Sequence, residues 1–400
     1  MTPALVACGV WLAASRIVHL GAGLASLRIA WNESHASTAF DAVSLDTHRP
    51  VSLLVPAAGA DPSALLETIR SLSSIGSVDV EIVVAVRERD DGVRAALAAE
   101  WALEDAPSPA ATRAPDARLL RSRFDERIVV AIAPEGRTLS TALALARSPL
   151  VCVVSPGSTI EPKALLRAST MFTEREHVVA VAGGALPSRE DGVLDRLQSA
   201  AYARAFFAGG IARAAFRARL GDGAPFHLLH RESLLRAGGY DDAAPDPHLD
   251  ALLRMSKRLR AEGLPFRTLV AMEPLGRTPL PATALARIAS LARARRGLRH
   301  ALVRHRDALL RRRYGALGWI SLPWLACFAW AAPAWEIGGA LLLGASVASG
   351  RVPPDVALLA LGGVVAQGVL RWTIALAARG LSRGPGAERQ SGRQMPRPAL

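Results

Sequence analysis

Cysteine is scarce in these 400 residues, with Cys8, Cys152 and Cys327 the only three. None stands at metal-ligand spacing from another. A zinc ribbon and a disulfide framework are therefore excluded, and the three read as small core residues in a reducing compartment. Aromatic residues make up only 5% of the chain. No nucleic-acid motif with interleaved aromatic and basic residues appears, the arrangement on which single-stranded nucleic acid stacks. Acidic residues are outnumbered, 35 Asp and Glu against 48 Lys and Arg, for a net charge of +13. A basic excess suits nucleic acid or an anionic membrane surface. With long apolar runs present and no nucleic-acid motif, membrane lipids are the expected partner and nucleic acid is not.

Half of the residues are apolar, enough for a full core. The central stretch is Leu150 to Leu165, LVCVVSPGSTIEPKAL. Leu150 to Val154 form an uninterrupted apolar run, the mark of a strand buried on both faces of a sheet. Ser155, Pro156 and Gly157 stop it, and Glu161-Pro162 opens a helix. Similar runs at Val51–Ala57, Val78–Val86 and Ile128–Ile132 alternate with helical segments starting at Asp61-Pro62, near Asp91 and at Thr138. That alternation predicts a parallel, doubly wound α/β sheet, with ligands just past the carboxyl ends of its strands. Leu103 to Glu126 reads as an exposed loop, Leu194 to Leu220 as helical, and Leu264 to Val270 as a further strand.

The two ends have a different character. Residues 1–31 read as a retained N-terminal anchor rather than a cleaved signal peptide, since Met1 lacks a basic flank. A connector covers 32–49 and the α/β domain 50–279. In 280–313, arginines alternate with Leu285, Ile288, Leu291, Leu298, Leu302 and Leu309, the pattern of a basic amphipathic helix on an anionic leaflet. Ala316–Trp335 and Val356–Ala378 read as membrane spans within a bundle at 314–379. The tail 380–400 is basic and disordered in composition. These readings together predict an integral membrane protein of bacterial inner-membrane type, with its α/β domain on the cytoplasmic side.

From Pro50 to Pro323 the chain resembles membrane-bound, processive-type family 2 glycosyltransferases. That group includes poly-N-acetylglucosamine, hyaluronan and cellulose synthases and ceramide glucosyltransferase. The resemblance rests on VSLLVPA, EIVVAVRERDDG, LVCVVSPGSTIEPKAL, HRESLLRAGGYDDAAPDPHLD and Tyr314-Gly315-x-x-Gly318-x4-Pro323. It implies a GT-A fold, a nucleotide-sugar donor, Mg²⁺ or Mn²⁺ held by an Asp-x-Asp, and a carboxylate base. By the same resemblance, Pro56, Arg87, Asp91, Ser155, Gly157, Asp250 and Arg293 take donor-site positions.

The chain departs from the family where the chemistry is done. The family's first aspartate falls on Val86 or Arg87, leaving Asp91 in that loop. The Asp-x-Asp falls on Ser155-Pro156-Gly157, and the Glu-Asp pair on Pro247-His248. The Gln-x-x-Arg-Trp falls on Ser290 to Ala294, with only Arg293 retained. A cation opposite a diphosphate needs carboxylate oxygens, so no metal and no other cofactor is expected. Each lost metal ligand or base costs a factor of ~10² to 10⁴. The leading expectation is a catalytically impaired homologue that partners an active glycosyltransferase or envelope polymer machinery. The alternative is a metal-independent transferase with His248 as base, flanked by Asp246 and Asp250, and Arg87 facing the diphosphate. A third reading is a basic membrane-surface adaptor using Arg287 to Arg313.

Overall fold

The computed structural model describes residues 48–107, 117–188, 226–281 and 283–350, together with single positions beyond 350. The anticipated N-terminal anchor, the helix at 194–220 and the tail lie outside the described residues, as does the span at 356–378 but for single positions.

The apolar runs form the middle of one ten-stranded sheet. Its strands are β1 (Val51–Pro56), β2 (Val80–Arg87), β3 (Leu103–Ala106), β4 (Arg118–Ser122) and β5 (Ile128–Ala133), followed by β6 (Leu150–Val153), β7 (Thr159–Ile160), β8 (Val178–Pro187), β9 (Phe226–His230) and β10 (Arg267–Thr278). The order across the sheet is β3-β4-β5-β2-β1-β6-β9-β8-β10-β7. The block β5-β2-β1-β6 is parallel, as expected for strands buried on both faces. β9 runs antiparallel between β6 and β8, so the sheet is mixed rather than mostly parallel. Leu103 to Glu126 is not simply a loop: β3 and β4 pair antiparallel at the sheet edge, tied by the Arg118–Asp105 ion pair at 2.8 Å.

Helices cover both faces. Helix α1 (Pro62–Ser73) starts at the N-cap Asp61, whose carboxylate accepts the Ala64 N–H at 3.0 Å, and buries Leu65, Ile69 and Leu72. Helix α2 (Asp91–Trp101) follows β2, and α4 (Pro162–Glu174) follows β7. On the other face lie α3 (Thr138–Leu145), α5 (Arg231–Arg236), α6 (Pro247–Ala261) and α7 (Ala284–Arg304). Each face has its own core, one around Leu53, Ile69 and Ile82, the other around Leu54, Leu143 and Leu252. Each fully buried Leu or Ile contributes ~1.5–3 kcal/mol relative to leaving it in water.

Asp242 ties two distant segments together. Its carboxylate accepts the N–H groups of Leu139 and Ser140 at 2.7 and 2.9 Å, capping α3 from a loop about a hundred residues away. Asp242→Ala is expected to cost ~1–2 kcal/mol, the usual loss for a helix N-cap. Urea unfolding checks this through a lowered midpoint at unchanged slope.

The expected transmembrane part is corrected. Among the described residues no helix is long and apolar enough to cross a membrane. The run at 316–335 is not one helix. It passes through π-helical turns at Leu317–Ser321 and Leu325–Trp330, and a new helix, α8 (Ala332–Ala348), then begins with Pro333 in its first turn. A proline lacks the N–H that would carry the preceding helix onward. The 17 residues of α8 reach only ~25 Å, short of the ~30 Å of a hydrocarbon core. Leu317, Leu322 and Leu325 are buried in the second core of the α/β domain. Part of that apolar run therefore serves protein packing.

Candidate functional site

The ends of β2, β1 and β6 bring Arg87, Pro56 and the Ser155–Gly157 tripeptide together on three neighbouring strands. The tripeptide forms a closed turn. The Ser158 N–H donates to the Ser155 carbonyl at 3.0 Å, Pro156 takes the second position, and Gly157 has φ +81°. This is the pattern of a type II turn. The Gly157 N–H donates to Thr68 Oγ1 at 2.8 Å and to the Ala64 carbonyl at 3.2 Å, and Ser158 Oγ donates to Thr278 Oγ1 at 3.1 Å. A Cβ at Gly157 would lie 3.1 Å from Pro279. Ser155 alone offers an exposed side chain. One neutral hydroxyl and a donated N–H do not fit a divalent cation, which takes several hard oxygen ligands. Among the described residues there is no group of three or more His, Cys, Asp or Glu able to hold a metal.

Arg87 is already engaged. Its Nε and Nη2 donate to the two oxygens of Asp90 at 2.9 and 2.8 Å, and Glu135 lies 3.5 Å away. The same Asp90 accepts the Gly59 N–H at 3.1 Å. The Arg87 hydrogen bonds, aided by those from the Gly59 and Arg87 backbone, hold the Asp90 carboxyl at about 2. The carboxylate facing the β1 loop is thus Asp90, which sequence reading passed over for Asp91. Asp91 is exposed at the start of α2 and pairs with Arg94. Nothing in the spacing of two adjacent aspartates separates them.

His248 lies in the first turn of α6, beside rings that sequence reading did not foresee. His227 of β9 is stacked on it, centroids 5.9 Å apart, and Tyr240 meets it edge-on at 5.4 Å. Nδ1 of His248 and the Tyr240 hydroxyl are buried with no hydrogen-bond partner among the described residues. Burial lowers the His248 pKa, against the opposing charge of Asp246, and raises that of Tyr240. The flanking carboxylates do not orient the imidazole. Asp246 caps α6, accepting the Leu249 N–H at 3.0 Å. Asp250 is only 1% exposed and faces Arg254 Nε at 2.7 Å and His305 Nε2 at 3.0 Å, with Arg304 at 3.4 Å. Burial pushes the Asp250 carboxyl up, but the His305 and Arg254 hydrogen bonds overcome it and leave it at about 2. Asp250 sits in a structural knot rather than opposite a ligand.

Helix α7 passes close by. A Cβ on Gly297 would lie 2.6 Å from the Cβ of Asp246, so only glycine permits this crossing beside the His248 turn. Arg293, one turn earlier, is exposed and is not brought to the other positions. The structure therefore gathers Pro56, Arg87, Ser155 and Gly157, while Asp91, Asp250 and Arg293 stand apart from them.

No protein-family model and no curated protein matches the chain. Among solved structures it is similar to the mannosyltransferase PcManGT from Pyrobaculum calidifontis, solved with GDP-Man and Mn²⁺. The likeness has a TM-score of 0.54 at 15% identity and covers 93% of this chain and 99% of that one. The fold is that of a GT-A glycosyltransferase. A weaker likeness is to glucosyl-3-phosphoglycerate synthase from Mycobacterium tuberculosis, solved with Mn²⁺, UDP and phosphoglyceric acid. Its TM-score is 0.38 at 15% identity, over 68% of this chain and 80% of that one. At 15% identity the likeness to the mannosyltransferase is one of fold alone. The membrane-bound, processive type is not distinguished by these likenesses.

Proposed function

We propose that this glycosyltransferase-fold protein does not carry out metal-assisted sugar transfer, and that it acts as a partner or scaffold for an active glycosyltransferase in envelope glycan or glycolipid synthesis. One observation carries the reading: where a metal-dependent relative needs carboxylates, this chain has a self-satisfied turn at Ser155–Ser158. Two others support it. Arg87 is neutralised by Asp90, and no carboxylate orients His248. A histidine base needs its proton held on one nitrogen so that the other presents a lone pair. The exposed Leu285, Ile288 and Leu291 among the arginines of α7 support an added attachment to an anionic lipid surface.

A second reading keeps activity, with a nucleotide-sugar donor, a lipid or polysaccharide acceptor, and His248 as a base that works without metal. It is favoured by burial, which keeps that imidazole neutral near pH 7. The two readings separate in an assay of nucleoside diphosphate release from UDP- and GDP-sugars. The proposal predicts no release above the blank, and no difference between wild type and His248→Ala. A wild-type rate that falls by ~10² or more in His248→Ala would establish the second reading instead.

A further inference from the structure

A cavity of about 520 Å³ opens at the edge of the sheet opposite Ser155–Gly157, where β8 and β10 begin. Three arginines line it: Arg175 just past α4, Arg260 in the last turn of α6, and Arg267 at the start of β10. His177 joins them. It has φ +60°, uncommon for a residue with a side chain, and its carbonyl accepts the Arg267 N–H at 2.7 Å, which holds two sides of the rim together.

Among the described residues no aspartate or glutamate lines this cavity. Among the described residues none of the three guanidinium groups forms an ion pair with a carboxylate. Of the acidic neighbours, Glu262 pairs with Arg258, and Glu176, 90% exposed, lies 4.0 Å from the His177 ring at the rim. Arg260 instead lies over the Phe266 ring at 5.0 Å, an arrangement that fixes its plane. Ser256 also faces the cavity, on a buried stretch of α6, and its hydroxyl makes no hydrogen bond to a described residue. Leu269 and Leu317 supply an apolar wall.

Guanidinium groups lining one cavity repel one another unless an anion comes between them, and their forked donors match phosphate oxygens. The volume is that of a small-molecule site, and the apolar wall suits a chain attached to the anionic group. We propose that this cavity binds a phosphate-bearing ligand, at a site separate from the strand ends where a glycosyltransferase holds its donor. It does not depend on whether the chain transfers sugar.

The test is isothermal titration of the full chain with inorganic phosphate and with dihexanoyl phosphatidic acid at constant ionic strength, against a chloride blank. The expected result is saturable binding of at least one of them, weakened about tenfold or more in Arg175→Gln/Arg267→Gln, since a hydrogen bond to a charged group contributes ~1.5–3 kcal/mol. Tighter binding of phosphatidic acid than of phosphate supports the site and identifies a lipid headgroup. Equal binding supports it and identifies a free phosphate group. Should the double variant unfold, Arg175→Gln alone, at an exposed position, takes its place. No heat above the chloride blank with either probe, or an affinity unchanged in a folded variant, would overturn the proposal.

Discussion

Asp250→Ala is expected to lower the unfolding free energy by ~3–5 kcal/mol, the cost of removing one partner from a buried ion pair. The carboxylate is 1% exposed and serves Arg254, His305 and Arg304 together. Arg254 also donates to the carbonyls of Ala237 and Gly239, both at 2.7 Å. Losing Asp250 therefore strands a guanidinium that holds the turn before α6, and it releases the residue that closes α7. The pH dependence has a definite sign. The folded carboxyl is held at about 2, below its ordinary value of 3.8. Its stabilisation is thus complete above about pH 4 and is lost as pH falls toward 2. Chemical denaturation of wild type and variant at pH 7 and near pH 3 checks both parts: the gap between the two proteins narrows in acid. A variant as stable as wild type at pH 7 would mean that the knot contributes nothing.

Gly157→Asp, which places a carboxylate at the last position of the Ser155–Gly157 tripeptide, is expected to destabilise the fold without creating a metal site. The residue stands at φ +81°, where a side chain costs ~1–2 kcal/mol. Its Cβ would also press on Pro279 at 3.1 Å. Together these predict a loss of ~2–3 kcal/mol, read as a lower urea midpoint. Mn²⁺ is expected to leave the variant's unfolding temperature unchanged, whereas a working site would raise it as metal concentration rises. The contrast with Ser155→Asp is informative. Ser155 is exposed and free of these constraints, so that substitution is expected to shift stability by ~0.5 kcal/mol or less.

Much of the architecture was legible because buried strands announce themselves. Leu53–Val55 and Leu150–Val154 are unbroken apolar runs, and Asp61-Pro62 and Glu161-Pro162 mark helix starts that the structure contains. The edge strand β3 and its neighbour β4 were not legible, because four or five residues of mixed polarity carry too little periodicity. The apolar run at 316–335 misled for a different reason. Hydropathy measures how apolar a segment is, not what covers it, and here Leu317, Leu322 and Leu325 are covered by the α/β core. At the site, the absence of carboxylates from Ser155-Pro156-Gly157 was readable from residue types alone. The pairing of Arg87 with Asp90 was not, nor the enclosure of His248 by His227 and Tyr240, because these contacts join segments remote in sequence or turn on side-chain direction.

A turn at Ser155–Ser158 that has displaced metal-assisted donor binding leaves Mn²⁺ without a role. In calorimetric titration of the full chain with GDP-mannose and UDP-glucose, with and without Mn²⁺, the metal is expected to leave the binding heat and affinity of either nucleotide sugar unchanged. Micromolar binding that depends on Mn²⁺ and is abolished by chelation would contradict it.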